Sequence, residues 1–326
     1  MNLEISDTAV RQREHESYNR SLDEDGFLVW PRLIPEPLID AHLSALENLM
    51  RNLTVDKGRG TEQMTREELS VIKRSRASFH REHQPTLELI FNRELMDFLR
   101  YRFGDEPVMR QPQTGLYQQH APIHTESLDI KPDSFGGEVR IWCALENVNP
   151  DAGPVYYVPR SHNLISSCLE ERLSKDHPDF IDVLERLTEP TTHAAYGAAT
   201  GPFFKIVKEE ILPQLVEQMG LQRVAPILAK GDAVIFRTDV VHGTSPCVNP
   251  SLTRKYLTAF WTRTSTRWYH TRSWWGPKWD FRSAENSIVA PIEQFALGSR
   301  IEFKDYYEAY LTSFGRRILM PQRSVE

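Results

Sequence analysis

Two of the eleven histidines, His124 and His242, stand where separate strands could carry them to one metal ion. His124 and Glu126 lie two residues apart, after the β-prone stretch Leu116 to Gln119 and a loop containing Pro122. On an extended backbone both side chains project from the same face, which suits adjacent coordination positions. His242 follows the apolar run Ala233 to Phe236, set off from it by the turn Arg237, Thr238, Asp239. Two imidazoles and one carboxylate on one face of iron(II) leave its other positions open for a chelating cosubstrate and for dioxygen. A cation stands next in line, Arg254, at the start of the following β-prone run. The far carboxylate of a 2-oxo acid such as 2-oxoglutarate needs a planar, permanently charged, two-pronged donor, which Arg supplies and Lys does not. Thr244 offers a hydroxyl to the same carboxylate.

Other histidines make weaker sites. His80 and His83 are three apart and could share a helix face, but no acid or third ligand accompanies them, so a solvated face is expected. His120 precedes Ala121 and Pro122 where a ligating acid would be wanted. The three cysteines, Cys143, Cys168 and Cys247, have no CxxC spacing and support neither a disulfide framework nor a structural zinc site. A rival from another class is a cupin-like metal-binding or partner protein whose histidines hold a structural or hydrolytic zinc. Arg254 separates the two, because a zinc hydrolase needs no carboxylate clamp there.

The elements that must position these residues follow from the chain's texture. After a polar lead-in, Asp23 to Trp30 passes from charged to β-prone around Gly26, as a turn feeding a short strand would. Leu38, Ile39, Leu43, Leu46 and Leu49 recur at helical spacing, and helix-compatible stretches follow at Thr65 to Ile72 and Leu87 to Phe103. From Gln111 the runs at Leu116 and Tyr117, Val139 to Cys143 and Val155 to Val158 are short, β-prone and punctuated by Gly and Pro. A block from Asn163 to Met219 returns to helical spacing, before strands resume at Ala233 to Phe236 and Tyr256 to Trp261.

At 326 residues, with 40% hydrophobic and 26% charged residues, the composition is that of an ordinary globular protein. A net charge of −6 with scattered Lys and Arg argues against a nucleic-acid partner. No apolar run of membrane-spanning length and no signal-like segment appears, so a cytoplasmic protein without a membrane partner is expected.

As an ordered set, several of these pieces resemble the phytanoyl-CoA dioxygenase superfamily of iron(II)- and 2-oxoglutarate-dependent oxygenases. They are Asp23 to Val29; His124, Thr125, Glu126; Ile141 to Val148; Gly153 to His162; Gly231, Asp232; and His242 to Ser245 with Arg254. The resemblance implies a mainly β fold with flanking α, a double-stranded β-helix (jelly roll, cupin-like) core with N-terminal helices and a helical insert. It implies one domain over residues 1–326: a helical part over about 1–110, the jelly-roll core over about 111–265 with its insert at about 163–224, and a Trp-rich extension over 266–326. It further implies that Trp142 and Thr244 border the 2-oxoglutarate site, with Gln118 or Gln119 on the neighbouring strand, and that His162 is structural.

The family usually carries Asp two residues after the proximal His. Glu126 stands there instead, so the carboxylate geometry must shift by about one methylene; Asp129 is the alternative ligand, pointing to the other face of an extended chain. An acid at this position, rather than Ala or Gly, argues against a halogenase.

The expected reaction is oxidation of a C–H bond in a small organic molecule, with hydroxylation as the outcome and 2-oxoglutarate converted to succinate and carbon dioxide. Desaturation, epimerisation, ring closure and endoperoxide formation use the same cofactors and stay open. The stretch Arg267 to Trp279 holds Trp268, Trp274 and Trp275, which, with Arg267, could line a substrate or cap the barrel as a satellite core.

Overall fold

The computed structural model describes residues 2–51, 54–56, 61–63, 84–105, 107–117, 120–126, 130–132, 137–179, 201–263 and 268–270. Its centre is a five-stranded antiparallel sheet made of β1 (Phe27–Trp30), β4 (Pro107–Gly115), β6 (Glu138–Ala144), β8 (Ala233–Arg237) and β10 (Tyr256–Arg263). Their order is β1-β8-β6-β10-β4. Facing it is a smaller antiparallel set, in which β7 (Val155–Tyr157) pairs with β9 (His242–Thr244). That pair is widened by bridges from β9 to His124 and from β7 to Val224. Four short strands complete the set: β2 (Thr54–Asp56) pairs with β3 (Thr61–Gln63), and β5 (Ile130–Pro132) with β11 (Trp268–His270). Two facing antiparallel sheets with helices outside them are the expected jelly-roll arrangement.

Strand β8 runs apolar from Ala233 to Phe236 because both faces of the sheet are covered there, and it is buried at every residue. Alternate residues serve different cores. Val139, Ile141 and Cys143 of β6, Ala233 and Ile235 of β8, and Leu257, Ala259 and Trp261 of β10 join the N-terminal helices in one cluster. Trp142 and Ala144, Val234 and Phe236, and Tyr256 point the other way and meet Tyr157 and Val240 between the two sheets. A third cluster lies outside the smaller sheet, where Ile123, Tyr156 and Val241 are covered by Leu169, Leu173, Phe204, Val207 and Ile211 of the inserted helices.

The elements depart from the sequence expectation in three places. The polar lead-in is a long helix, α1 (Asn2–Glu24), whose few apolar residues include Leu22 and Tyr18 on the first cluster. Arg102 Nη1 donates to Asn19 Oδ1 at 2.7 Å and to Asp23 Oδ1 at 2.6 Å, which ties that helix down. The helix from Leu38 onwards is α2 (Glu36–Arg51). The single helix expected over Leu87 to Phe103 is two, α3 (Gln84–Ile90) and α4 (Arg93–Phe103). The break lies at Asn92, whose side chain accepts hydrogen bonds from the Glu94 and Leu95 amides as an N-cap. Third, β4 ends at Gly115, so Leu116 and Tyr117 form a bend rather than a strand. The insert opens with α5 (Ser161–Asp176) and resumes as helix over 201–218, which contains the π turn Val207–Ile211 and α6 (Leu212–Gln218). The stretch Thr65 to Ile72 lies outside the described residues.

Candidate active site

Register in the smaller sheet brings the two histidines together. His124 and His242 are a directly opposed antiparallel pair: each backbone N–H donates to the other's carbonyl, at 2.8 and 2.9 Å. Opposed residues project to the same face, and the two ring centroids are 4.3 Å apart. The approach to β9 is rigid. Arg237 makes a two-pronged pair with Asp239, Nε and Nη2 lying 2.9 and 2.7 Å from the carboxylate oxygens, and Ser161 Oγ accepts from the Val241 amide.

Each histidine donates through Nδ1 to a backbone carbonyl, His124 to Pro122 at 2.7 Å and His242 to Val240 at 3.0 Å. A carbonyl can only accept, so Nε2 is the bare nitrogen on both rings. Burial, and for His124 also its neighbour His242, holds the pKa of His124 well below the ordinary value. Burial likewise draws that of His242 down to about 3. Both rings are therefore neutral at neutral pH, with lone pairs ready for a metal.

Glu126 completes the cluster with a helical rather than an extended backbone. Its Oε1 is 3.4 Å from His242 Nε2 and 3.9 Å from His124 Nε2. One donor atom from each of His124, Glu126 and His242 lies within 4.8 Å of the others. Bonds of about 2.1 Å to an octahedral ion place neighbouring donors about 3 Å apart. A divalent ion with nitrogen and oxygen preference fits this set with small side-chain adjustments. His120 is exposed and stays outside the cluster. Asp129, His80 and His83 lie outside the described residues.

A cavity of about 100 Å³ opens beside the three donors, lined among others by Arg140, Trp142, Phe236, Thr244, Arg254 and Tyr256. Arg254 is 3% exposed, and its Nη1 donates to the Gly153 carbonyl. Gly153 adopts φ 68 to end the turn Pro150–Ala152 and so presents that carbonyl inward. Arg254 Nε is buried and has no partner among the described residues. A buried guanidinium N–H of this kind costs free energy unless an acceptor arrives, which is what a carboxylate in the cavity would be. Burial lowers the Arg254 pKa from its ordinary value, yet a guanidinium stays charged. Trp142 stacks on Tyr256 with centroids 5.3 Å apart and forms the cavity wall beside Arg254. Thr244 Oγ1 accepts from the Ala121 amide at 3.0 Å.

Of the cavity residues that the sequence reading did not assign to the site, the charged one is Arg140 on β6. Its Nη1 pairs with Glu126 Oε1, its Nε donates to Thr258 Oγ1 at 3.0 Å, and its guanidinium lies 4.6 Å over the Phe260 ring. The signal was available: Arg140 precedes Trp142 by two residues and so shares its face. His162 does serve structure, its Nε2 meeting the Asp23 carbonyl at 3.1 Å. Gln118, Gln119, Arg267, Trp274 and Trp275 lie outside the described residues. Trp268 begins β11, and only its backbone is described.

Among solved structures, the chain is similar to the non-haem α-ketoglutarate-dependent epimerase SnoN from nogalamycin biosynthesis. The two are 15% identical with a TM-score of 0.51, over 80% of this chain and 87% of that one. It is similar too to the carbocyclase SnoK from the same biosynthesis, at 16% identity and a TM-score of 0.50, over 78% and 86%. At such identities the likeness speaks for the fold. No curated protein sequence matches. The family model for phytanoyl-CoA dioxygenase matches residues 22–256, a span that contains the smaller sheet, four of the five strands of the larger one, the three candidate metal donors and Arg254, and the chain therefore belongs to the phytanoyl-CoA dioxygenase family.

Proposed function

We propose that this protein is an iron(II)- and 2-oxoglutarate-dependent oxygenase that hydroxylates a C–H bond of a small organic molecule. The observation carrying this reading is the pairing of two neutral, Nε2-presenting histidines and a carboxylate with a buried arginine across one small cavity. His124, Glu126 and His242 would hold the iron; Arg254 would hold the cosubstrate's distal carboxylate. When bound, iron(II) and 2-oxoglutarate supply dioxygen activation and the two electrons it needs, the cosubstrate leaving as succinate and carbon dioxide.

The chain's own part is positioning and exclusion of water. The Pro122 and Val240 carbonyls fix the ring tautomers, so neither imidazole has to lose a proton on metal binding. Arg140 orients Glu126, whose extra methylene would otherwise leave its carboxylate free to swing. The Trp142 and Tyr256 rings and Phe236 present apolar walls, in which charge pairing with Arg254 is stronger than in water. The reading also covers the substrate contacts expected of Trp268, Trp274, Trp275 and Arg267.

The test is anaerobic addition of 2-oxoglutarate to the Fe(II)-loaded protein, with the visible absorption of the chelate followed in wild type and His242→Ala. A band in wild type that vanishes in the variant is expected. No band in wild type, or the same band in both, would overturn the assignment. Product analysis then separates hydroxylation from epimerisation or ring closure.

A further inference from the structure

Glu126 Oε1 meets both sheets at once. His124 and His242 are the opposed pair of the smaller sheet, and their Nε2 atoms lie 3.9 and 3.4 Å from that oxygen. The same oxygen accepts from Arg140 Nη1, which reaches it from β6 of the larger sheet. The Arg140 and Glu126 side chains are only 16% and 15% exposed, so the pair sits largely out of water. The cation has little freedom to follow its partner. Its Nε donates to Thr258 Oγ1 at 3.0 Å, and that hydroxyl in turn donates to the Ile141 carbonyl at 2.6 Å. The Phe260 ring lies 4.6 Å from its central carbon. Both Thr258 and Phe260 belong to β10, whose register sets Phe260 opposite Arg140 and Thr258 opposite Trp142.

Glu126 therefore spans a gap whose two sides are fixed independently, the guanidinium by the larger sheet and the imidazoles by the smaller. An acid there must be long enough to touch both. One methylene less draws the carboxylate back by about 1.5 Å, the length of a carbon–carbon bond, and the shorter acid reaches one side only. Separating a little-exposed ion pair leaves a desolvated cation without its counter-charge, so the guanidinium keeps the carboxylate and the metal loses its third donor. We propose that Arg140 is a positioning residue that sets the length of the acid at position 126, fixing glutamate as the ligand and barring aspartate from that role. The proposal rests on the reading of His124, Glu126 and His242 as a metal site and adds the residue that selects its carboxylate. It also makes the two positions interdependent: with Arg140 removed, nothing holds a shorter acid away from the histidines.

The test is a double-mutant cycle read by Mn(II) binding to the full-length protein without cosubstrate, the free ion being followed by electron paramagnetic resonance. Glu126→Asp is measured in two backgrounds, wild type and Arg140→Met, which keeps an unbranched side chain among the rings and removes its charge and donors. With Arg140 present, Glu126→Asp should weaken Mn(II) binding about tenfold or more, the scale on which lost support around a metal ligand is felt. In Arg140→Met the same substitution should cost about twofold or less, the scatter of independent changes. Equal losses in the two backgrounds, or no loss in wild type, overturn the proposal and leave the metal site standing; absence of Mn(II) binding to wild type overturns both. An Arg140 that only supports the fold lowers the melting temperature in Arg140→Met and leaves the two losses equal, which counts as the first of these refutations. Where Arg140→Met melts below the assay temperature, Arg140→Gln completes the cycle with the same outcomes.

Discussion

Arg254→Lys probes the cosubstrate clamp most directly, and its effect can be worked out from the hydrogen-bond inventory. The guanidinium is almost fully buried, and its Nη1 is engaged by the Gly153 carbonyl. Nε lacks a partner, and the second terminal nitrogen lies beside it in the same plane, so the group offers a carboxylate a two-pronged face. Lysine keeps the charge but presents a single point donor, and one of the two charge-assisted hydrogen bonds is lost. A bond of that kind contributes about 1.5–3 kcal/mol, which corresponds to about 10- to 150-fold weaker 2-oxoglutarate binding. Arg254 touches none of the three metal donors, so iron affinity should change by less than about threefold, a shift smaller than 1 kcal/mol. Calorimetric titration of 2-oxoglutarate into the anaerobic Fe(II) protein measures the first quantity, and Fe(II) titration of the apoprotein the second. Equal 2-oxoglutarate affinity in the two proteins refutes the clamp. A parallel loss of iron and cosubstrate affinity, with a lowered melting temperature, would instead mark Arg254 as a structural residue of the Gly153 turn.

Two further outcomes are expected. In Gly243→Ala the new methyl would stand 2.6 Å from Tyr156 Oη and 3.2 Å from the Ala121 carbonyl, so the tyrosine or β9 must shift. A loss of about 1–3 kcal/mol in urea unfolding is expected, together with weaker metal binding because His242 adjoins the site; an unchanged midpoint would contradict the packing. The third outcome concerns pH. Burial and the neighbouring Arg237 hold the His162 pKa below its ordinary 6.5. The unfolded chain then takes up a proton first, so the stability from this group is full above pH 6.5 and declines as pH falls toward the folded value. The slope is at most about 1.4 kcal/mol per pH unit for one proton. Urea unfolding between pH 7 and pH 5 should show a shallower acid loss in His162→Asn than in wild type; identical slopes would mean that His162 is protonated alike in both states.

Some of this protein was written locally in its chain, and some was not. Chemistry was legible where rare residue types stand at short spacing: His124 with Glu126, His242 after an apolar strand, and Arg254 opening the next one. The central strands were legible too, because burial on both faces demands apolar residues in succession, as at Ala233 to Phe236, or with a single exception, as at Val139 to Cys143 around Arg140. Local pattern misled where the signal was faint. The helix Asn2–Glu24 carries too few apolar residues to show its periodicity, and the break at Asn92 depends on a capping bond rather than on a proline or glycine. The role of Arg140 showed only in its spacing to Trp142, since a charged residue in a strand usually faces water. The sequence by itself determined which side chains could hold a metal and a carboxylate, because that capacity belongs to the side chain's own chemistry. Only the tertiary structure decided that His124 and His242 face each other, that Arg140 lies on Glu126 and that the inserted helix packs on Ile123 and Val241, the residues before the two histidines. Those meetings depend on sheet register and helix packing between segments far apart in the chain, and no short-range pattern encodes them.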